Sequence, residues 1–259
     1  MHNIFLIFKN KLAAILHAFR KSPAPILTID DHVNKLQENG FQIIRPGECV
    51  GHDAYLDKEE FRYILWIDRI YSKIQNVPGH IVEVGVARGR NSVLFGNLIK
   101  LSGEETIRNY YGFDTFSGYT ESDIDSSPHL SKNDWREISL SFVKNRLERN
   151  QLGSTCFVFE GDIKDIAENF VASGHNKFQP GHLQIALLYI DCNSYAAAKY
   201  SMDFFYDYIS PGGLVCIDEK LQGGETRALR DFCSDQGLKF IKDSGPFSLP
   251  AYTKKEVMG

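Results

Sequence analysis

The chain has 259 residues, 43% of them hydrophobic, enough for one large domain with an added arm and a core that needs no staples. Its formal net charge of −4 removes the electrostatic case for a nucleic-acid partner. Five cysteines, Cys49, Cys156, Cys192, Cys216 and Cys233, form no C-x-x-C pair, which speaks against zinc and points to free thiols in a reducing, cytoplasmic setting.

In chain order, residues 1–25 come first as an amphipathic basic arm. Lys9, Lys11, Arg20 and Lys21 appear without any acid, and Ile4, Phe5, Ile7, Phe8, Leu12, Ile15, Leu16 and Phe19 suit one helical face. Lys9, Asn10 and Lys11 interrupt the apolar run, so it is too short to span a bilayer, and it lacks the pattern of a secretory signal. We read it as packing on its own domain or on a second copy in a homo-oligomer. Weak contact of residues 1–21 with an anionic membrane surface, and a peripheral location, is the second reading.

Residues 26–76 form a helical and irregular segment. Within it Phe61, Ile64, Leu65, Ile70, Tyr71 and Ile74 repeat with helical period until Pro78-Gly79. From 77 to 259 short apolar runs (81–86, 110–113, 156–159, 185–190, 214–217 and 238–241) alternate with helical patterns at 90–101, 135–150, 194–208 and 225–236. That alternation predicts a doubly wound α/β domain with a mostly parallel sheet, its strands apolar throughout because helices cover both faces. Residues 115–134 break the rhythm; polar and rich in Ser and Asp, they read as a lid beyond the second strand, where open α/β sheets bind ligands.

The sharpest motif is Val82-Glu83-Val84-Gly85-Val86-Ala87-Arg88-Gly89-Arg90-Asn91-Ser92. A strand ends at Glu83 and Gly85, turns through Gly89 and enters a helix near Asn91 and Ser92, where glycines admit a ligand and the helix start offers N–H donors. The dinucleotide fingerprint G-x-G-x-x-G is absent. An acid followed by G-x-x-x-G instead resembles the first motif of class I methyltransferases, which holds the methionine part of S-adenosylmethionine.

Acids also end the next strands. Asp114 is placed to accept two ribose hydroxyls, and Asp162 to accept from an adenine amino group, with Ile163 against the ring. For each, capping of the following helix is the alternative. Asp191, then Asp218 and Glu219, close the fourth and fifth strands. Neighbouring strands would bring these carboxylates together, and oxygen-only ligands suit Mg2+ or another hard divalent cation.

Read together, VPGHIVEVGVARGRNS, YYGFDTFSGY, LLYIDCNSY, ISPGGLVCIDE and GGETRALRDF resemble the macrocin O-methyltransferase (TylF-type) family. The resemblance implies a Rossmann-like fold, S-adenosylmethionine, a divalent metal and transfer to a hydroxyl of a sugar or glycoside. By position, Asp191, Asp218 and Glu219 correspond to the metal ligands, Asp114 to the ribose acid, and Glu83, Gly85 and Gly89 to the first loop. The family commonly has D-x-D after the fourth strand, its second acid proposed as general base. This chain has Asn193, which accepts no proton. Asp191 itself, water or His129 in the lid would then take the proton. Three other readings stay open: a phenol or phosphate-type acceptor, a nucleotide-dependent oxidoreductase, and a binding module without chemistry. The 31-residue step from Glu83 to Asp114, against the usual ~20, disfavours the oxidoreductase.

Overall fold

The computed structural model describes residues 58–173, 183–218, 223–242 and 251–256; the arm, Cys49 and Glu219 lie outside them. The elements are α1 (Lys58–Ser72), β1 (His80–Val84), α2 (Arg90–Leu101), β2 (Tyr110–Asp114), α3 (Glu121–Ser126), α4 (Leu140–Arg149), β3 (Cys156–Glu160) and α5 (Ile163–Ser173). They continue with β4 (Ile185–Ile190), α6 (Tyr195–Phe205), β5 (Ile209–Ile217), α7 (Gly224–Gln236), β6 (Ile241–Lys242) and β7 (Ala251–Lys254). One sheet runs β3-β2-β1-β4-β5-β7-β6; its first five strands are parallel, and β7 is antiparallel to both neighbours.

The expected doubly wound sheet is therefore present. β1 and β4 are buried at every position. Period-two alternation sorts their side chains: Val82, Val84, Tyr111, Phe113, Leu188, Ile190, Val215 and Ile217 join the large core with α5, α6 and α7. The intervening positions face the other way, so Glu83 on β1 and its register partner Tyr189 on β4 share the opposite face. On that face α2 packs with α1 and with α4.

Differences from the sequence reading have local causes. β5 begins at Ile209 rather than 214, because Pro211-Gly212-Gly213 forms a bulge against β4, where a proline costs no ladder bond. α3, α5 and β7 were not expected. α3 hides in the polar segment, started by a capping box between Thr120 and Asp123. The buried stripe of α1 is Tyr63, Trp66, Ile67, Ile70, Tyr71 and Ile74, whereas Phe61 and Leu65, placed in the apolar stripe from sequence, are exposed.

Arg108 ties α1 to the sheet. Buried in the loop before β2, it donates from Nη1 to Gly79 O (2.7 Å) and from Nη2 to Ile74 O (3.1 Å) and Val77 O (3.0 Å), with Nε on Glu104. Tyr71 donates to the same Glu104 carboxylate at 2.8 Å. The turn between α1 and β1 thus has its carbonyls satisfied by one side chain. Arg108→Met should lower stability by about 3–5 kcal/mol, since it strands Glu104 and those carbonyls. Urea unfolding checks this, and an unchanged midpoint refutes it.

Candidate active site

The strand order reverses between β1 and β4, and the crevice of such sheets opens beyond the carboxyl ends of those strands. The turn after β1 lies there. Gly85 has φ +94°, and a Cβ on it would stand 1.9 Å from Asp191 O, so only glycine lets the turn cross the end of β4. Ala87 (φ 46°) and Gly89 (φ +75°) are also left-handed, and Gly89 is the N-cap of α2. The N–H groups of Val86 and Ala87 both donate to Asp114 Oδ2, at 2.9 and 2.8 Å, and Phe116 N donates to Oδ1 at 2.8 Å. Asp114 thereby closes the glycine turn from β2. Burial raises its pKa, and these three bonds oppose the rise.

Behind the turn lies a buried polar network. Glu83 is fully buried, and Asn91 Nδ2 donates to its Oε1 at 2.7 Å. Tyr110 donates to Glu83 Oε2, and Ser92 donates to the Tyr110 hydroxyl at 2.8 Å. Gly112, the register partner of Glu83 on β2, makes room for this: a Cβ there would meet the Tyr110 hydroxyl at 2.8 Å. Asn91 Nδ2 also donates to Asp191 Oδ2 at 3.1 Å. Asn91 Oδ1 accepts from the Tyr63 hydroxyl at 2.7 Å. That hydroxyl lies 3.0 Å from Asp218 Oδ1 and 3.2 Å from the Tyr189 hydroxyl, which donates to Asp218 Oδ1 at 2.5 Å. The Arg90 guanidinium covers the Tyr63 ring at 3.6 Å.

Charge is crowded here. Burial pushes the Asp191 carboxyl well above the usual carboxylate range, Asp218, Glu225 and Glu83 push it further, and Arg90 opposes them. Burial also raises Glu83, against the bond from Asn91. Glu225, buried at the start of α7, accepts from Asn193 N at 2.5 Å. Asn193 itself is left-handed (φ 56°), a conformation Asn tolerates better than most residues.

The polar segment after β2 is built onto the same region. Ser194 donates to Asp123 Oδ1 at 2.5 Å, while Ser127 and Ser126 hydroxyls accept from Tyr195 N and Ala196 N at 3.0 and 3.1 Å. α3 and the residue after it thus cap α6. The Tyr119 hydroxyl is bonded by Asn193 and Trp135 side chains, and Arg88 lies over the Trp135 ring at 5.7 Å.

Of the residues singled out from sequence, the structure brings Glu83, Asn91, Asp191 and Asp218 into one network and sets Gly85 and Gly89 in the turn beside it. Asn91 and Ser92 are buried, with side chains bonded inward. Asp162 accepts from Lys164 N at 3.0 Å and starts α5, and Ile163 is buried in the core behind it. His129 is exposed and has no bond in this network. Glu219 lies outside the described residues, among which no group of three or more His, Cys, Asp or Glu side chains is disposed to hold a metal. Sequence reasoning missed Tyr63, Tyr110, Tyr189 and Glu225. Only Tyr189 carried a usable signal, a hydroxyl two positions before Asp191 in an otherwise apolar strand.

Five parallel strands and an antiparallel β7 in this order, with a left-handed glycine turn at the switch point and a carboxylate closing it, make a Rossmann-like α/β fold of the kind that takes a ligand at that edge. Residues 66–241 match the family Macrocin-O-methyltransferase (TylF), and the chain belongs to it. It is an S-adenosylmethionine-dependent methyltransferase. No curated protein matches it in sequence. Among solved structures it is similar to a calicheamicin methyltransferase (23% identity over 90% of this chain and 93% of that one, TM-score 0.68). An apo structure described as TDP-rhamnose 3'-O-methyltransferase gives 22% over 90% and 95%, TM-score 0.60. The O-methyltransferase NovP gives 19% over 74% and 80%, TM-score 0.59. These likenesses concern the fold.

The raised carboxyls make a pH prediction. Asp191 and Glu83 hold their protons to higher pH folded than unfolded, so the folded state binds more protons above the ordinary Asp value of about 3.9. Stability of the ligand-free protein should then fall as pH rises from there through the raised values. Asp191→Asn should flatten the slope. Thermal melts from pH 4 upward test this, and a wild-type slope of opposite sign refutes it.

Proposed function

We propose that the protein transfers the methyl group of S-adenosylmethionine to a hydroxyl of a sugar or glycoside, with Mg2+ or another hard divalent cation held by Asp191, Asp218 and Glu219. The observation that carries this reading is the pairing of Asp191 and Asp218 through Asn91 and Tyr63, directly beneath the glycine turn. The sugar acceptor is supported by the family and by the TDP-rhamnose 3'-O-methyltransferase whose fold the chain shares.

Asp191 and Asp218, joined by Glu219, would be the ligands, and carboxylate oxygens are the donors a hard cation prefers; Arg90 is the cation that now opposes their charge. When bound, a cation would supply the positive charge that favours an ionised acceptor hydroxyl. S-adenosylmethionine supplies an already activated methyl group. The chain's own work is positioning. Glu83, Gly85, Gly89 and Asp114 shape the cofactor turn, Asp162 stands beyond β3 on the adenine side, and Asp191 receives the acceptor's proton. Asp191 fits that role better than His129, since it lies beneath the glycine turn inside the polar network, whereas His129 is exposed and outside it. Cys156, Cys192, Cys216 and Cys233 are not in disulfides, which supports a cytoplasmic location.

The test is incubation with S-adenosylmethionine, Mg2+ and a panel of free and nucleotide-linked deoxysugars, with and without chelator. A methylated sugar formed only without chelator is expected. Turnover that ignores the chelator removes the cation, and binding of S-adenosylhomocysteine with no sugar methylated removes the acceptor class. Asp218→Asn should cut turnover by about a hundredfold or more while S-adenosylhomocysteine affinity stays within a factor of ~2. Asp114→Asn should do the reverse, weakening that affinity by about tenfold first. Calorimetric titration beside the turnover assay separates the two.

A further inference from the structure

Tyr63 lies on α1, upstream of the residues that match the family, and no motif in the sequence marks it. Its ring is buried, yet its hydroxyl reaches two strands of the sheet at once. It is 2.7 Å from Asn91 Oδ1, 3.0 Å from Asp218 Oδ1 and 3.2 Å from the Tyr189 hydroxyl. We propose that Tyr63 is a positioning residue for methyl transfer: its hydroxyl joins Asp191, by way of Asn91, to Asp218, and so fixes the two carboxylates relative to each other.

Proton accounting makes Tyr63 the joint. The two amide protons of Asn91 are taken by Glu83 and Asp191. Tyr189 spends its proton on Asp218 Oδ1. Tyr63 has one proton and faces two acceptors, Asn91 Oδ1 and Asp218 Oδ1, so either choice leaves its oxygen between the two halves of the network. Both tyrosine hydroxyls lie against the same oxygen of Asp218, Oδ1, at 3.0 and 2.5 Å, and so hold that side of the carboxylate in place. The Tyr63 ring has a separate task. It carries Arg90, the cation that offsets charge on Asp191 and Glu83. Hydroxyl and ring can therefore be removed one at a time.

The inference rests on the carboxylate pair being the working site, as proposed above. The experiment compares wild type, Tyr63→Phe and Tyr63→Leu as full-length proteins. It measures S-adenosylhomocysteine affinity, kcat and acceptor KM on any sugar the wild type methylates, and Mn2+ binding by calorimetry without acceptor. Tyr63→Phe keeps the ring. It should bind S-adenosylhomocysteine within a factor of ~2 of wild type, lower kcat by about 10–100-fold with acceptor KM little changed, and weaken Mn2+ by about tenfold. Tyr63→Leu, which also releases Arg90, should lose more on both counts. If Tyr63→Phe matches wild type in kcat and in Mn2+ affinity, or loses activity only in step with its thermal transition, the proposal is wrong. A wild type that binds S-adenosylhomocysteine but shows neither turnover nor Mn2+ binding overturns the carboxylate-pair reading itself, and Tyr63 falls with it.

Discussion

The constraint on which this structure turns is the crowding of carboxylates at the end of the sheet, Glu83 fully buried and Asp191 and Asp218 partly so. Glu83, Asp191 and Asp218 end adjacent parallel strands, and parallel strands deliver their terminal side chains to one edge. Three acids in one place repel each other and lose their hydration, so their survival depends on donors. Asn91 is the donor that fits best. Both its amide protons and its carbonyl are engaged, the protons on Glu83 and Asp191 and the carbonyl with Tyr63. Its place on the first turn of α2 is set by Gly89, and the turn that leads to Gly89 exists because Gly85 can cross the end of β4. The glycine motif thus has a structural task of its own: it lowers Asn91 into an acid cluster.

Two sides of the crevice are consequently built from different materials. Asp114 closes the glycine turn through backbone N–H groups, so its bonds depend on the path of the chain and on few side chains. The acid pair depends on side chains alone, from α1, α2, β4 and β5. Arg108 links them indirectly. By holding the turn between α1 and β1 it sets where Tyr63 arrives. The polar segment after β2 then meets the crevice through hydroxyls, and its three serine and aspartate contacts occupy the start of α6, just beyond Asp191.

This division explains what the sequence could reveal. The strands, their parallel order and the acids at their ends follow from periodicity and from where a strand run stops, both local properties. The network does not. That Glu83 lies beside Tyr189 and across from Gly112 is a matter of register between strands distant in sequence, and no local pattern encodes it. Asp162 shows the limit differently. An acid at a strand end serves equally as a ligand carboxylate and as a helix cap, and here it caps α5, whose Ile163, Ile166, Ala167 and Phe170 carry a clear helical period. The short β7 was invisible because four residues pairing at a sheet edge have no period to read.

Asn193 is where the sequence and the structure inform each other most. From sequence it is a missing acid, the second position of a D-x-D pattern. In the structure its backbone is left-handed, its N–H is spent on Glu225, and its side chain meets Tyr119. Each of these favours an amide. An aspartate there would face the buried Glu225 and add charge beside Asp191, which already carries the repulsion of Asp218, Glu225 and Glu83. An amide holds the polar segment through Tyr119 at no electrostatic cost to Asp191. The amide therefore adds no further repulsion to Asp191, and it ties the position of the following segment to the same residue.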